Sequence, residues 1–218
     1  MPQADFRDIE CWVFDLDNTL YPPSVGLFGQ IDQQMRRFIG RELGVSDAEA
    51  DRLRSTYWQD HGTTMAGLRL HHDVAPERFL VEAHDIDYSG LVHDVALAGA
   101  IDALPGRCVV HTNGPRCHAE AVLSALGYAE LFDAVFTLED ADLISKPNAE
   151  AFDAVHRKAG LDPVRCAMIE DDPRNLVVPC ALGMRTVWLE HAERGTTPAH
   201  VHHHTDDLSL FLNRVIRG

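Results

Sequence analysis

The chain has 218 residues, 45% of them apolar and 24% charged, with a formal net charge of −15. Those values suit one globular domain with a modest insertion and exclude a chain dominated by disorder. So acidic a protein repels a nucleic-acid polymer or an anionic membrane, whereas a small anionic substrate is compatible where a metal ion and a lysine reverse the local field.

The first predicted element is "CWVF" at 11–14, a short apolar run read as a buried strand. Asp15 and Asp17 follow it directly, with Asn18 and Thr19. Two carboxylates at the end of a buried strand are costly, because each loses hydration as it leaves water. From Thr19 to about Ala100 no strand pattern recurs. Leu27, Ile31, Met35 and Phe38 keep helical spacing, and "SDAE" at 46–49 has the form of a capping box, with Ser46 as cap and Glu49 reaching back. Leu53 and Tyr57 continue the apolar face of that second helix, and a third is expected after Pro76, through Phe79 and Ala83. Residues 22–95 are therefore read as an all-helical insertion beside the acidic pair, able to cover it as a cap, with "LYPP" at 20–23 as the hinge. The core is expected over 1–21 and 96–218.

Strand then alternates with helix. "CVVH" at 108–111 is followed by Thr112, Asn113 and Gly114, then by a helix through Ala119, Val122, Leu123 and Leu126 that Gly127 stops. "AVFT" at 134–137 leads to Lys146 and to a helix with Asn148 as cap, Phe152, Val155 and Ala159 as apolar face, and Gly160 as stop. "CAMI" at 166–169 is followed by Glu170, Asp171 and Asp172; Pro173 opens a further helix, kinked or broken at Pro179 and stopped at Gly183. "TVWL" at 186–189 is the fifth strand. Strands apolar throughout and separated by helices predict an α/β, doubly wound, parallel, Rossmann-like sheet of five strands, with the helical cap inserted after the first.

The five cysteines, Cys11, Cys108, Cys117, Cys166 and Cys180, are odd in number and lack C-x-x-C spacing, so they read as reduced core residues. The histidine tracts at 71–72 and 200–204 lack the helical pairing of a zinc hydrolase and read as surface or interface residues. His111 reads as a packing residue. No basic N-terminal region precedes an apolar core, and no apolar run is long enough to span a bilayer. The expectation is a cytoplasmic monomer or weak homodimer.

In an open α/β sheet, ligands bind beyond the carboxyl ends of the strands. Four polar clusters fall there, and their chemistry suits phosphoryl transfer. One carboxylate can attack phosphorus and form an aspartyl-phosphate, and a second can protonate the leaving oxygen and then activate water. A hydroxyl and backbone N–H groups can hold phosphate oxygens, a lysine can neutralise charge, and further carboxylates can hold a hard cation such as Mg2+.

"DLDNT", "HTNG", "SKP" and "EDDPRN", in this order across 15–175, resemble the motifs of the haloacid dehalogenase-like phosphohydrolases. Within that family, "DLDNTLYPP", "YWQDHGTTMAGL" and "HTNGP" look like the pyrimidine 5′-nucleotidase branch. The resemblance implies that Asp15 is the nucleophile and Asp17 the general acid and base. It implies that Thr112, Asn113 and Gly114 bind phosphate and that Lys146 stabilises the phospho-enzyme and contacts substrate. Mg2+ would be held by Asp15, the Asp17 carbonyl and Asp171, with Glu170 or Asp172 assisting; Asn175 stands where many relatives carry aspartate. His61, in the cap, is a candidate substrate contact. The implied substrate is a small phosphorylated metabolite, first UMP or CMP, alternatively phosphoglycolate or a sugar phosphate. A true dehalogenase needs neither Asp17 nor the acidic cluster. A phospho-accepting signalling module carries its acidic pair ahead of the phosphorylated aspartate and has no helical insertion.

Overall fold

A computed structural model describes residues 2–191 and 196–217. The chain divides into two compact units, one of residues 1–23 with 91–218 and one of 24–90.

The first unit is built on a sheet of β1 (Cys11–Phe14), β2 (Arg107–His111), β3 (Ala134–Phe136), β4 (Cys166–Glu170), β5 (Arg185–Leu189) and β6 (His203–Thr205). All pairings are parallel and the order is β3-β2-β1-β4-β5-β6. Central β1 is buried at every position, which is why its sequence is apolar rather than alternating. Trp12 stands between Cys108 and Ala167, and Phe14 between Val110 and Ile169. The connection from β3 to β4 reverses the direction in which strands are added, so the switch point lies between β1 and β4. The crevice at their carboxyl ends is where such a sheet takes a ligand.

The sheet has six strands, not the expected five. The sixth comes from the histidine tract, which lacks an apolar signature because it forms the sheet's edge. Val187 pairs with His203 and Leu189 with Thr205. The Thr186 hydroxyl donates to the His200 carbonyl (2.7 Å), and His203 packs on Phe6 and lies 3.2 Å from the Asp5 carboxylate. These histidines serve the fold.

The helices of this unit are α5 (Val95–Asp102), α6 (Arg116–Leu126), α7 (Ala149–Ala159), α8 (Val177–Ala181) and α9 (Leu208–Arg217). α6 and α7 end at Gly127 and Gly160 as expected. Asn148 holds the cap position of α7, but its side chain donates back to the Ser145 carbonyl (2.8 Å) instead of accepting from the helix. Pro173 opens a 3-10 turn that runs into the five-residue α8, so the segment around Pro179 is indeed broken short. Cys11, Cys108 and Cys166 are core residues; Cys117 is exposed and Cys180 half-buried, so the core reading fails for those two.

The second unit holds α1 (Leu27–Leu43), α2 (Asp47–His61), α3 (Thr64–His72) and α4 (Pro76–Ala83). Residues 91–95, expected within the insertion, group with the sheet. Ser46 caps α2 by accepting the Glu49 N–H, while the Glu49 carboxylate takes Arg52 rather than reaching back. Phe38 and Phe79 meet edge to face at 5.2 Å. Gly67 lets α3 close on α2: a Cβ there would lie 2.2 Å from Cγ of Tyr57. Among the described residues, no helix is long and apolar enough to cross a membrane.

Candidate active site

β1 and β4 bring the acidic residues together. The Asp15 N–H continues the ladder by donating to the Ile169 carbonyl (2.9 Å), and this fixes the side chain at the strand end. Its Oδ2 accepts the Thr19 hydroxyl (3.1 Å), and its Oδ1 accepts Nζ of Lys146 (2.7 Å). Lys146 is fully buried and gives its other two protons to Oε1 of Glu170 (2.6 Å) and the His111 carbonyl (2.8 Å). An ammonium has three donors, and all three are used.

Glu170 is wholly buried as the last residue of β4. It also accepts the Asn175 amide (2.8 Å) and the Asp172 N–H (3.1 Å). Asn175 thus braces Glu170. Asp171 sits beside them, its Oδ2 accepting the Asn18 amide (3.3 Å). Asp172, the other residue given an assisting place, is engaged by Arg174: its carboxylate caps the turn at Arg174 N and takes the Arg174 guanidinium in three bonds of 3.0, 2.9 and 2.6 Å.

The electrostatics follow from this crowding. Burial first, then the Glu170 charge, pushes the Asp15 carboxyl well above the usual range, against the pull of Lys146. Burial and the same neighbour push Asp171 up to about 7, although the Asn18 hydrogen bond works the other way. Burial alone would lower Lys146, but Asp15 and Glu170 outweigh it and hold the ammonium above its usual value. Asp15, Glu170 and Asp171 each offer a carboxylate oxygen, all within 4.8 Å of one another. Three hard oxygen donors with one ammonium between them leave excess negative charge, and this donor set fits Mg2+. Glu170, which the sequence reading gave an assisting place, lies within this group, its Oε1 shared with Lys146 and Asn175 and its Oε2 accepting the Asp172 N–H.

Asp17 faces elsewhere. Its Oδ1 accepts the Tyr21 hydroxyl (2.5 Å) and lies 2.7 Å from Nε2 of His118, a fully buried residue in the first turn of α6. Burial, then the Asp17 charge, raises Tyr21 far above the phenol range, so its hydroxyl keeps its proton.

After β2, the buried Thr112 accepts the Gly114 N–H at its Oγ1 (2.9 Å), which leaves the hydroxyl proton to donate. A Cβ on Gly114 would come within 3.0 Å of His118 and 3.2 Å of the Thr112 oxygen, so a side chain at this turn would crowd both. The Asn113 side chain, expected among the phosphate ligands, is engaged within the chain. Its amide makes a two-point clamp on the backbone of Lys146, accepting N–H at 2.8 Å and donating to the carbonyl at 3.1 Å. His61 ends α2 in the helical unit, where its Nε2 lies 3.0 Å from that of His71.

Tyr21 and His118 escaped the sequence reading. A lone tyrosine or histidine carries no spacing pattern. The available signal was position: the chain just after β1, and the first turn of the helix after β2, both at the carboxyl edge.

Three comparisons bear on this arrangement. A stretch of 189 residues, 78% of this chain, is 28% identical to "Phosphate metabolism protein 8" of Saccharomyces cerevisiae and spans 58% of that protein. A stretch of 80 residues, 37% of this chain, is 30% identical to "Validoxylamine A 7′-phosphate phosphatase" of Streptomyces hygroscopicus subsp. limoneus and spans 37% of it. The chain thus covers less than two thirds of either relative. The crystal structure of an HAD phosphatase from Thermococcus onnurineus superposes with a TM-score of 0.68 at 20% identity, covering 96% of this chain and 99% of that one, a likeness of fold. The haloacid dehalogenase-like hydrolase family matches residues 9–177, a span that runs from ahead of β1 to beyond the Glu170–Asp171 pair, and the chain belongs to that family.

Proposed function

We propose that the protein is a Mg2+-dependent phosphomonoester hydrolase working through an aspartyl-phosphate on Asp15. The observation that carries this reading is the division of two carboxylates, two residues apart, into different surroundings. Asp15 is tied to an ammonium and grouped with Glu170 and Asp171; Asp17 is tied to Tyr21 and His118. Paired carboxylates in distinct environments are how one site keeps a nucleophile and an acid apart. The names of the yeast and Streptomyces relatives support the same chemistry.

Asp15, Glu170 and Asp171 would hold Mg2+, with the Asp17 carbonyl. When bound, the ion would offset repulsion between the carboxylates and a phosphate dianion. The Asp15 carboxylate attacks phosphorus while Asp17 gives a proton to the leaving oxygen. Lys146 holds Asp15 in line and balances the charge that accumulates, and the Thr112 hydroxyl donates to a phosphate oxygen. Asn113 acts on Lys146 through its backbone. Water then attacks phosphorus, passing a proton to Asp17, and Asp15 is released.

The substrate is a small phosphorylated metabolite. UMP and CMP come first, supported by the likeness of residues 15–23, 57–68 and 111–115 to the pyrimidine 5′-nucleotidase branch. The Streptomyces relative, named for validoxylamine A 7′-phosphate, keeps another metabolite, such as phosphoglycolate or a sugar phosphate, as the second reading. The helical unit carries the proposed specificity, with His61 as its candidate contact.

The test is phosphate release from p-nitrophenyl phosphate and from a panel of nucleotides, sugar phosphates and phosphoglycolate. Activity should require Mg2+ and disappear with EDTA. Asp15→Asn should reduce it to background; full activity in that variant removes the nucleophile assignment. Repeated turnover excludes a signalling module, which would be phosphorylated once.

A further inference from the structure

Resting on the phosphatase reading, one further assignment concerns the two oxygens of Asp17. Oδ1 accepts the Tyr21 hydroxyl at 2.5 Å and lies 2.7 Å from Nε2 of His118. A hydroxyl beside a carboxylate donates. A nitrogen lone pair aimed at the same oxygen would be repelled, so His118 presents its N–H there as well. Both donors come from buried side chains on separate segments of the sheet unit, Tyr21 after β1 and His118 in α6. An oxygen that already accepts two such protons is a poor place for a third. Oδ2 lies toward Thr112 and Gly114, at the edge of the same turn that His118 borders: a Cβ on Gly114 would stand 3.5 Å from Oδ2, 3.2 Å from the Thr112 oxygen and 3.0 Å from His118. A phosphate ester held by Thr112 approaches from that side.

We propose that Tyr21 and His118 are positioning residues for the general acid: by holding Oδ1 they direct the transferred proton to Oδ2. In the first step the bond from Asp15 to phosphorus forms and the bond from phosphorus to the leaving oxygen breaks. The proton moves from Oδ2 of Asp17 to that oxygen, and the charge left on Asp17 is shared with the two donors at Oδ1. In the second step water bonds to phosphorus, its proton passes to Oδ2, and the bond from phosphorus to Asp15 breaks, giving inorganic phosphate. Tyr21 and His118 exchange no proton in either step.

A residue that merely packs against Asp17 would slow every substrate alike. A residue that aims the acid matters most where the leaving group needs a proton. The experiment compares kcat/KM, which covers the steps through leaving-group departure, for an alkyl phosphate turned over by the wild-type protein and for dinitrophenyl phosphate. Tyr21→Phe and His118→Leu should each lose about tenfold or more in the ratio of alkyl to dinitrophenyl ester, a share of what a positioned acid contributes. His118→Gln, whose amide N–H can still reach a carboxylate, should recover part of that ratio. Circular dichroism and the thermal midpoint report whether each variant is folded. Equal losses for both esters in folded Tyr21→Phe and His118→Leu, or no loss for either, overturn the assignment. If Asp15→Asn is inactive and Mg2+ is required, the phosphatase reading survives that outcome. A wild-type protein inert toward both esters overturns the phosphatase reading and this one with it.

Discussion

The sheet unit and the helical unit both pair cations with carboxylates, in different media. Lys146 is sealed inside the sheet unit between Asp15 and Glu170, with side-chain exposures of 0%, 9% and 0%. In the helical unit Arg52 grips Glu49 in two bonds of 2.8 and 2.5 Å, Arg41 meets Glu82 at 2.6 Å, and Arg78 meets Glu42 at 2.9 Å, all in contact with solvent. The distances are alike, so distance does not rank these pairs. Desolvation does: a buried charge has given up water and depends on its partner, whereas an exposed one recovers hydration when the partner leaves. A protein accepts the first kind of pair where chemistry calls for it and scatters the second kind over its surface.

The largest expected effect breaks the buried side of that contrast. Lys146→Met leaves two carboxylates facing each other without their cation, and removing one partner of a buried pair costs about 3–5 kcal/mol. Urea unfolding should show that loss, and phosphate release should fall to background. Glu170→Gln placed on top should restore part of the stability, because it removes one stranded charge; the double-mutant cycle then reads the coupling between the two sites. Additive losses would mean that the Lys146–Glu170 contact carries no coupling energy.

Much of this site was legible in the sequence, because parallel strands buried on both faces show as apolar runs and the polar residues directly after them mark the ligand edge. Asp15, Lys146 and Asp171 stand at that edge. The strand that was missed, His203–Thr205, lies at the sheet's margin, where burial no longer demands apolar side chains. The partners of Asp17 were missed for another reason. Asp17 and His118 are 101 residues apart, and no local pattern encodes that meeting. Asn113 shows a third limit: residue type announced a polar ligand, but only geometry revealed that its amide is spent on the Lys146 backbone.

A smaller effect sharpens the same contrast through a group buried without a charged partner. His111 packs against Phe152 at 5.2 Å, and its Nδ1 is buried with no hydrogen-bond partner among the described residues. Burial first, then the Lys146 charge and His156, holds its folded pKa well below 6.5. The unfolded chain therefore binds a proton that the folded one refuses. The stabilisation from keeping His111 neutral is complete above the unfolded value and is lost as pH falls from there toward the folded value. One such proton tilts stability by at most about 1.4 kcal/mol per pH unit. His111→Leu should flatten the acid limb of the stability-against-pH curve by up to that slope. A residual slope should persist from His156, whose pKa burial also lowers. An unchanged acid limb in the folded variant would mean that His111 does not contribute to it.

The smallest effect lies on the exposed side. Arg52 and Glu49 form a bidentate surface pair, with two parallel bonds three residues apart on α2. The hydrogen bonds they share, more than their charges, hold Glu49 below and Arg52 above the usual values. The pair is still expected to vanish from the stability balance. Breaking it returns two well-hydrated groups to water, frees two long side chains, and in Arg52→Ala substitutes the best helix former for a good one. The unfolding midpoint of Arg52→Ala should match that of the wild type at low and at molar salt, because screening has little net attraction to remove. A clear loss at low salt that closes at high salt would show that this pair stabilises the helical unit electrostatically, and desolvation would then not be what separates the two classes of pair.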